Sequence, residues 1–320
     1  MKNVQNIKEK TNRAVGIVNK ITTSLVERPY GKHTFSAAIL MRESMLLGSI
    51  LNNSEAWINL TKKDVENLEK PDVMLLRKIL SSSGNPSKVF MYLELGILPV
   101  KFVLMKKRLK FLRYILHEDM NSLIRQVYET LKTESRHGDF VDLVKKDIEE
   151  LKLNLLESDI QNTTKIEWKK YVNEKVSEAC LLALNAENSS KTKTKHIVFE
   201  NLEMREYLKQ NVNISLSKTI FSARSGTLDI KSWNSWNYEN VLCVMCNKWE
   251  ENLQHFMTCS SYGNNPLQIH WSKLFENNVK DQVSIAKDIK RRQFLRKRRL
   301  EEDGLPQIMA PMLQTSVELQ

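Results

Sequence analysis

The sequence predicts a mostly α-helical protein, and three observations carry that reading. Glycine and proline are scarce, nine and seven among 320 residues, against a usual joint share of about 12%, which leaves too few turn-formers for a many-stranded sandwich or barrel. Apolar residues recur at three- and four-residue intervals through most of the chain. Capping signatures precede several of these runs, and the pattern breaks at a polar basic stretch, 188–195, and at a cysteine-containing stretch, 225–262. The expected organisation is a multi-helix domain at 1–187, a basic polar linker at 188–195, a smaller helical domain at 196–300 with a CCHC metal module inside it, and a tail at 301–320. The length suits two compact cores.

Residues 4–25 read as the first helix; after a turn at Pro29-Tyr30-Gly31 a second runs from Phe35 to Asn53, with Leu40, Leu47 and Leu51 on one side. Thr61 and Asp64 form a capping-box-like start for Lys62–Leu80. Pro71 removes a donor from that helix and crowds the preceding turn, so a kink or two short helices are expected there. SSSGNPS (81–87) is a loop and Val89–Leu95 a short helix.

Pro99, favoured in a first turn, opens the next helix. At 100° per residue its Phe102, Met105, Leu109, Leu112 and Leu116 make an apolar seam, with Lys106, Lys110, Arg113 and His117 in a cationic seam beside it. Helices over 120–132, 139–153 and 165–187 follow, the last opened by Thr164 and Glu167. NSSKTKTK (188–195) is small, polar and basic, as linkers are. Beyond it, helical patterns cover 199–209, 214–224, 267–278 and 281–300, and an acidic, then apolar, poorly ordered tail starts at Glu301.

Lysine and arginine outnumber aspartate and glutamate by 49 to 38, a net charge of +11, so the natural partners are polyanions such as nucleic acid. The excess is concentrated. Pro99–His117 holds six cations and no carboxylate; Lys287–Arg299 holds Lys287, Lys290, Arg291, Arg292, Arg296, Lys297, Arg298 and Arg299 against the single anion Asp288. Those eight can neutralise phosphates, serve as a nuclear-import signal, or form a solvated helix face. The seam of Lys106, Lys110 and Arg113 has the same choice between nucleic acid and solvent, and the lack of any carboxylate in it weighs against a helix stabilised by its own surface pairs. No stretch is apolar enough to span a membrane and no signal-peptide core is present, so an intracellular, nuclear, soluble protein without a membrane partner is expected.

Three of the four cysteines fall in Cys243-x2-Cys246-x8-His255-x3-Cys259. A close cysteine pair supplies two thiolates from a tight turn, and His255 and Cys259 share a helix face if 252–259 is helical. Four such ligands close a tetrahedron around zinc and leave no position for substrate, so the metal would be structural. The plain alternative is ordinary buried thiols beside an exposed histidine. Cys180, in the run ACLLAL, reads as a buried thiol. Trp233, Trp236, Tyr238 and Trp249 surround the module and either stack on unpaired bases or pack its core; packing is expected, because so small a module has little else to bury.

Catalytic signatures are missing from the chain. It has no Asp-Asp pair for two-metal chemistry, no glycine-rich phosphate loop, no GxSxG and no HExxH. Glu149-Glu150, Glu250-Glu251 and Glu301-Glu302 read as helix surface. No catalytic residue and no small-molecule substrate is expected.

The succession NSEAW (53–57), LEKPDVMLLRKIL (68–80), YLELG (92–96), a basic helix, FSARSGTLDIK (221–231) and the cysteine–histidine site resembles the C-terminal part of reverse transcriptases of non-LTR (LINE-type) retrotransposons, over nearly the whole chain. The resemblance implies a helical, thumb-like domain gripping template and primer, then a zinc module that helps hold RNA or target DNA. It makes Cys243, Cys246, His255 and Cys259 the metal ligands and Arg224 a nucleic-acid-binding position just upstream. Pro71, within a segment usually an unbroken helix, and Gly226, where a larger or basic residue is usual, depart from the family pattern. The family's catalytic aspartates and endonuclease would precede Met1, so a non-catalytic nucleic-acid-binding fragment is expected. The other reading is a helical, zinc-containing adaptor with a basic import tail.

Overall fold

Residues 2–27, 33–80, 84–134, 136–154, 156–209, 212–235, 238–263 and 270–302 are described by a computed structural model. The Pro29-Tyr30-Gly31 turn, residues 81–83 of the SSSGNPS loop, Trp236, residues 267–269 and the tail from 303 lie outside them. The protein is mostly helical, and no strand longer than a single bridge occurs among the described residues.

Helix α1 (Lys2–Glu27) buries Ile7, Ala14, Val18 and Ile21, spaced to share one face, against α4 (Lys62–Leu80). Between them α2 (Thr34–Met41) runs through a π-helical turn, Arg42–Leu47, into α3 (Gly48–Ile50). The wider π turn delays the side-chain register. Leu47 and Leu51 are therefore buried while Leu40, expected beside them, is 66% exposed. In its place Arg42 turns inward and forks onto Asp72 of α4, its Nε and Nη2 donating at 2.6 and 2.7 Å, with Tyr92 Oη donating to the same carboxylate.

The start of α4 is the expected reciprocal cap: Thr61 and Asp64 exchange backbone and side-chain hydrogen bonds. Pro71 does not divide this helix. The helical run continues through it to Leu80, with the ring buried. Helix α5 (Lys88–Leu95) ends at Gly96, whose φ of +63° puts it in the left-handed region and lets Ile97 N–H reach back to Tyr92 O.

Helix α6 (Val100–His117) is the hub of the N-terminal half. All five residues of its expected apolar seam are buried, and α4, α8 (Phe140–Glu150) and α10 (Lys165–Ser189) pack around it. Arg108 forks onto Asp147 of α8, and Trp168 Nε1 of α10 donates to Leu109 O at 2.9 Å. Helix α7 (Leu123–Glu134) lies against α6 and α8. A short helix the periodicity did not show, α9 (Glu157–Asn162), precedes α10, whose Thr164/Glu167 cap forms as expected.

The basic segment 188–195 is a packed turn. Asn188 is buried, donates to the carbonyls of Thr194 and Ile197, and accepts from the Thr194 hydroxyl. Beyond it the expected helix 199–209 shrinks to α11 (Glu206–Lys209), and α12 (Ile214–Arg224) packs on the last helix, α14 (Val279–Glu302). Of the expected helix 267–278, a 3-10 turn at Trp271–Phe275 is what the described residues contain. One buried cluster runs from Ile7 to Ile289.

Candidate metal centre

The cysteine pair sits on a turn whose backbone aims amides at sulfur. Cys243 N–H donates to Trp249 O (2.7 Å), Glu251 N–H to Val241 O (2.8 Å), and Leu242 bridges Glu250, so the chain doubles back after Cys246. Asn247, with φ +51°, makes the reversal; asparagine tolerates that conformation better than other side-chain-bearing residues. Beyond the turn Asn252 caps helix α13 (Leu253–Thr258), its Oδ1 accepting from His255 N–H at 2.8 Å. His255 lies in the first turn of α13 and Cys259 caps its end, so this short helix brings both back to the turn.

The four ligand atoms lie within 4.8 Å of one another. Cys243 Sγ and Cys259 Sγ are 4.0 Å apart, and Cys246 Sγ is 3.3 Å from His255 Nε2. Tetrahedral coordination with metal–sulfur bonds of about 2.3 Å puts sulfurs roughly 3.8 Å apart, so the constellation has the size of a single-ion site and could hold a metal ion. Burial pushes the Cys243 thiol up to about 12, against amides of Cys246 and Met245 that favour its thiolate. Burial also works against ionisation of Cys246, but there the amides of Lys248 and Trp249, with His255 and Cys243, prevail and hold it down at about 6.

Around this centre is a layer of charge that the sequence did not reveal. Glu251, expected on a helix surface, is fully buried; it accepts from Lys231 N–H and Val244 N–H, the Tyr262 hydroxyl and Arg296 Nε. Arg296 also reaches Asp229 and Tyr238 Oη, each at 3.1 Å. One turn earlier on α14, Arg292 pairs with Asp288 and donates from Nη1 to the carbonyls of Phe256 and Cys259, the second of these belonging to a candidate ligand. Periodicity held the signal: Arg292 and Arg296 share the stripe of Ile285, Ile289 and Leu300, which is the buried face of α14.

No family model, curated protein or solved structure matches the chain.

Three cations expected to bind nucleic acid are therefore internal. Arg292 and Arg296 clamp α14 to the metal module, and Arg224 is buried against Glu94, donating to its Oε1 at 2.8 Å and to Leu274 O. A buried guanidinium with its donors committed cannot meet a phosphate. Arg113 is half-buried and donates twice to Thr163 O, closing the end of α9. The other α14 cations are exposed: Lys290 contacts Ser215 Oγ, Arg291 contacts Asp288 and Tyr262 O, and Lys297, Arg298 and Arg299 make long surface pairs with Glu301 and Glu302.

Lys106 and Lys110 stand apart from these. Neither has a hydrogen-bond or ion-pair partner among the described residues. Burial, then the charges of Lys106 and Lys169 of α10, brings Lys110 down to about 8. Lys106 is lowered as well, by burial and by Lys169, against the opposing charge of Glu43. Among the aromatics, Trp233 and Tyr238 pack as expected, Lys231 and Arg296 lying over the Tyr238 ring. Trp249 does not, with 67% of its surface exposed.

Proposed function

We propose that the protein binds nucleic acid, without catalysing its chemistry, on a helical scaffold whose C-terminal part is organised by a structural zinc ion. One observation carries the binding reading: Lys106 and Lys110 are half-buried on α6 with no hydrogen-bond or salt-bridge partner among the described residues, burial and the nearby charge of Lys169 both work against their ionisation, and α6 itself carries no carboxylate. Glu43 offsets this charge only in part, at Lys106, and such charge is stabilised when a polyanion brings phosphates to it. The reading agrees with the resemblance to the thumb and zinc-binding regions of non-LTR reverse transcriptases. Three thiolates and an imidazole are the donor set that selects zinc, and a closed four-ligand site favours a structural role. An import signal read from 290–299 is disfavoured, because Arg292 and Arg296 are inside the fold.

The test is the salt dependence of binding to RNA and DNA oligonucleotides. Wild type should bind with a steep slope, and replacing Lys106, Lys110 and Lys169 by glutamine should flatten it by about 0.7–0.9 for each phosphate no longer neutralised. Undetectable binding, or binding indifferent to salt, rejects the proposal.

A further inference from the structure

The solvent face of α14 has an order that neither its charge count nor the metal centre explains. Phe294 is 61% exposed and is the one exposed large apolar side chain of that helix. At 100° per residue it lies within about 60° of Lys287, Lys290, Arg291, Lys297 and Arg298, all of them exposed. A single aromatic ring thus stands in the middle of a cationic stripe three turns long. No ring contact or cation–π partner involves Phe294 among the described residues.

Two features make this face a docking surface for a polyanion with accessible rings. The opposite face is fixed: Ile285, Ala286 and Ile289 are buried, and Arg292 and Arg296 lock the helix to the metal module. The ring is therefore presented on a rigid support, and little conformational entropy remains to be lost on binding. Arg291 is held by Asp288 and Tyr262 O and Lys290 contacts the Ser215 hydroxyl, but three of the five cations are available. Lys287 has no partner among the described residues, and the contacts of Lys297 and Arg298 with Glu301 and Glu302, at 3.9 and 3.8 Å, are exposed pairs of the weak kind. Lys287, the Lys290/Arg291 pair, Phe294 and the Lys297/Arg298 pair follow one another at about one helical turn, roughly 5–6 Å, so the ring is flanked by cations on both sides.

We infer that this face of α14 binds single-stranded nucleic acid, Phe294 stacking on an unpaired base while Lys287, Lys290 and Arg298 meet the flanking phosphates. Stacking tolerates any base and needs an unpaired one, so a duplex, whose base faces are covered, gains nothing from the ring. A membrane surface would need a broader apolar face than one phenyl ring, and the rest of the apolar stripe of α14 is inside the protein. The inference rests on the nucleic-acid reading above and narrows it to a strand type and a surface.

The experiment compares an oligothymidylate with a DNA duplex of the same length, across a salt series, for the full chain and three variants. Phe294→Ala should weaken single-strand binding roughly five- to hundred-fold, keep the salt slope, and leave duplex binding unchanged; Phe294→Trp should restore affinity. Lys287→Gln with Lys290→Gln should instead flatten the single-strand slope by about 0.7 per residue. Equal single-strand binding by Phe294→Ala, or an equal loss on duplex, overturns the inference. If that occurs while the Lys106, Lys110 and Lys169 variants still flatten the slope, the proposed function stands and this surface alone fails. Loss of binding to phosphatidylserine vesicles on Phe294→Ala, with oligothymidylate binding intact, also overturns it and assigns the face to membranes.

Discussion

Glu251 shows how much a single buried carboxylate organises. It lies between the cysteine turn and the cap of α13, and its two oxygens gather donors from 231, 244, 262 and 296. Removing one partner of such a pair leaves the other charge buried and uncompensated, at a cost of about 3–5 kcal/mol. Arg296→Ala should therefore lower stability by that order in denaturant unfolding. Arg296→Met combined with Glu251→Gln should recover most of the loss, because a buried ion pair contributes less by its presence than its half-removal costs. The candidate metal ligands make a separate prediction. Wild type should carry one zinc per chain by elemental analysis, and Cys246→Ser should lose it together with the fold of the 225–262 module, followed by near-UV circular dichroism. A fully folded, metal-free wild type would reject the site. The candidate ligands lie within one short stretch of sequence, whereas Glu251 and Arg296 are 45 residues apart.

At the scale of elements, α6 combines a packed apolar seam with half-buried lysines that repel each other. The folded state holds the Lys110 ammonium at about 8, below its ordinary value near 10.5, so between those two values the unfolded chain binds more protons than the native one. Stability should therefore rise as pH climbs through that window, and this rise should disappear in Lys110→Gln, measured by thermal melts at several pH values. A bound oligonucleotide should raise the Lys110 value, seen by NMR titration, since a nearby phosphate favours the ammonium. The end of α5 makes a steric prediction. A Cβ on Gly96 would stand 2.1 Å from the backbone carbonyl carbon of Glu203, whereas one on Gly226 would meet side-chain atoms of Lys193, Cβ and Cδ, at 2.8 Å. Both positions have positive φ, so alanine costs about 1 kcal/mol or more at either from backbone strain. Gly96→Ala should be clearly the worse, because backbone cannot swing aside. The glycine at 226 is explained by that conformation and by Thr227 N–H closing the end of α12 on Ser222 O.

Across the whole molecule, buried arginine–carboxylate pairs fasten segments that are distant in sequence, joining helix to helix in Arg42–Asp72, Arg108–Asp147 and Arg224–Glu94 and helix to loop in Arg296–Glu251. Two of these pairs draw on the segments 68–80, 92–96 and 221–231, through Asp72, Glu94 and Arg224, and Asp229 of the last segment also pairs with Arg296. Those segments are thus joints between helices. The Glu94 joint also accepts from the Tyr207 hydroxyl, and so couples residues on either side of 188–195. Arg224→Ala should cost about 3–5 kcal/mol and leave the salt slope of nucleic-acid binding unchanged; a flattened slope with unchanged stability would return Arg224 to the binding surface.

Much of this was legible in the residues themselves. Helical class, the seam of α6, the caps at Thr61 and Thr164, and the four candidate ligands follow from spacing of three to four residues and from side-chain chemistry, which are local properties. The π turn at Arg42–Leu47, the exposure of Leu40 and the continuity of α4 through Pro71 depended on what the neighbouring helices offered to bury. The chain's basicity shows the division most clearly. Composition determines that arginines and lysines are in excess, and polyanion partners are a proposal built on that excess. Only the tertiary structure decides which cations face water, because a buried acceptor can come from anywhere in the sequence: Glu94 and Glu251 turn Arg224 and Arg296 inward, the carbonyls of Phe256 and Cys259 hold Arg292, and Lys106 and Lys110 stay half-buried while the Phe294 face of α14 is exposed.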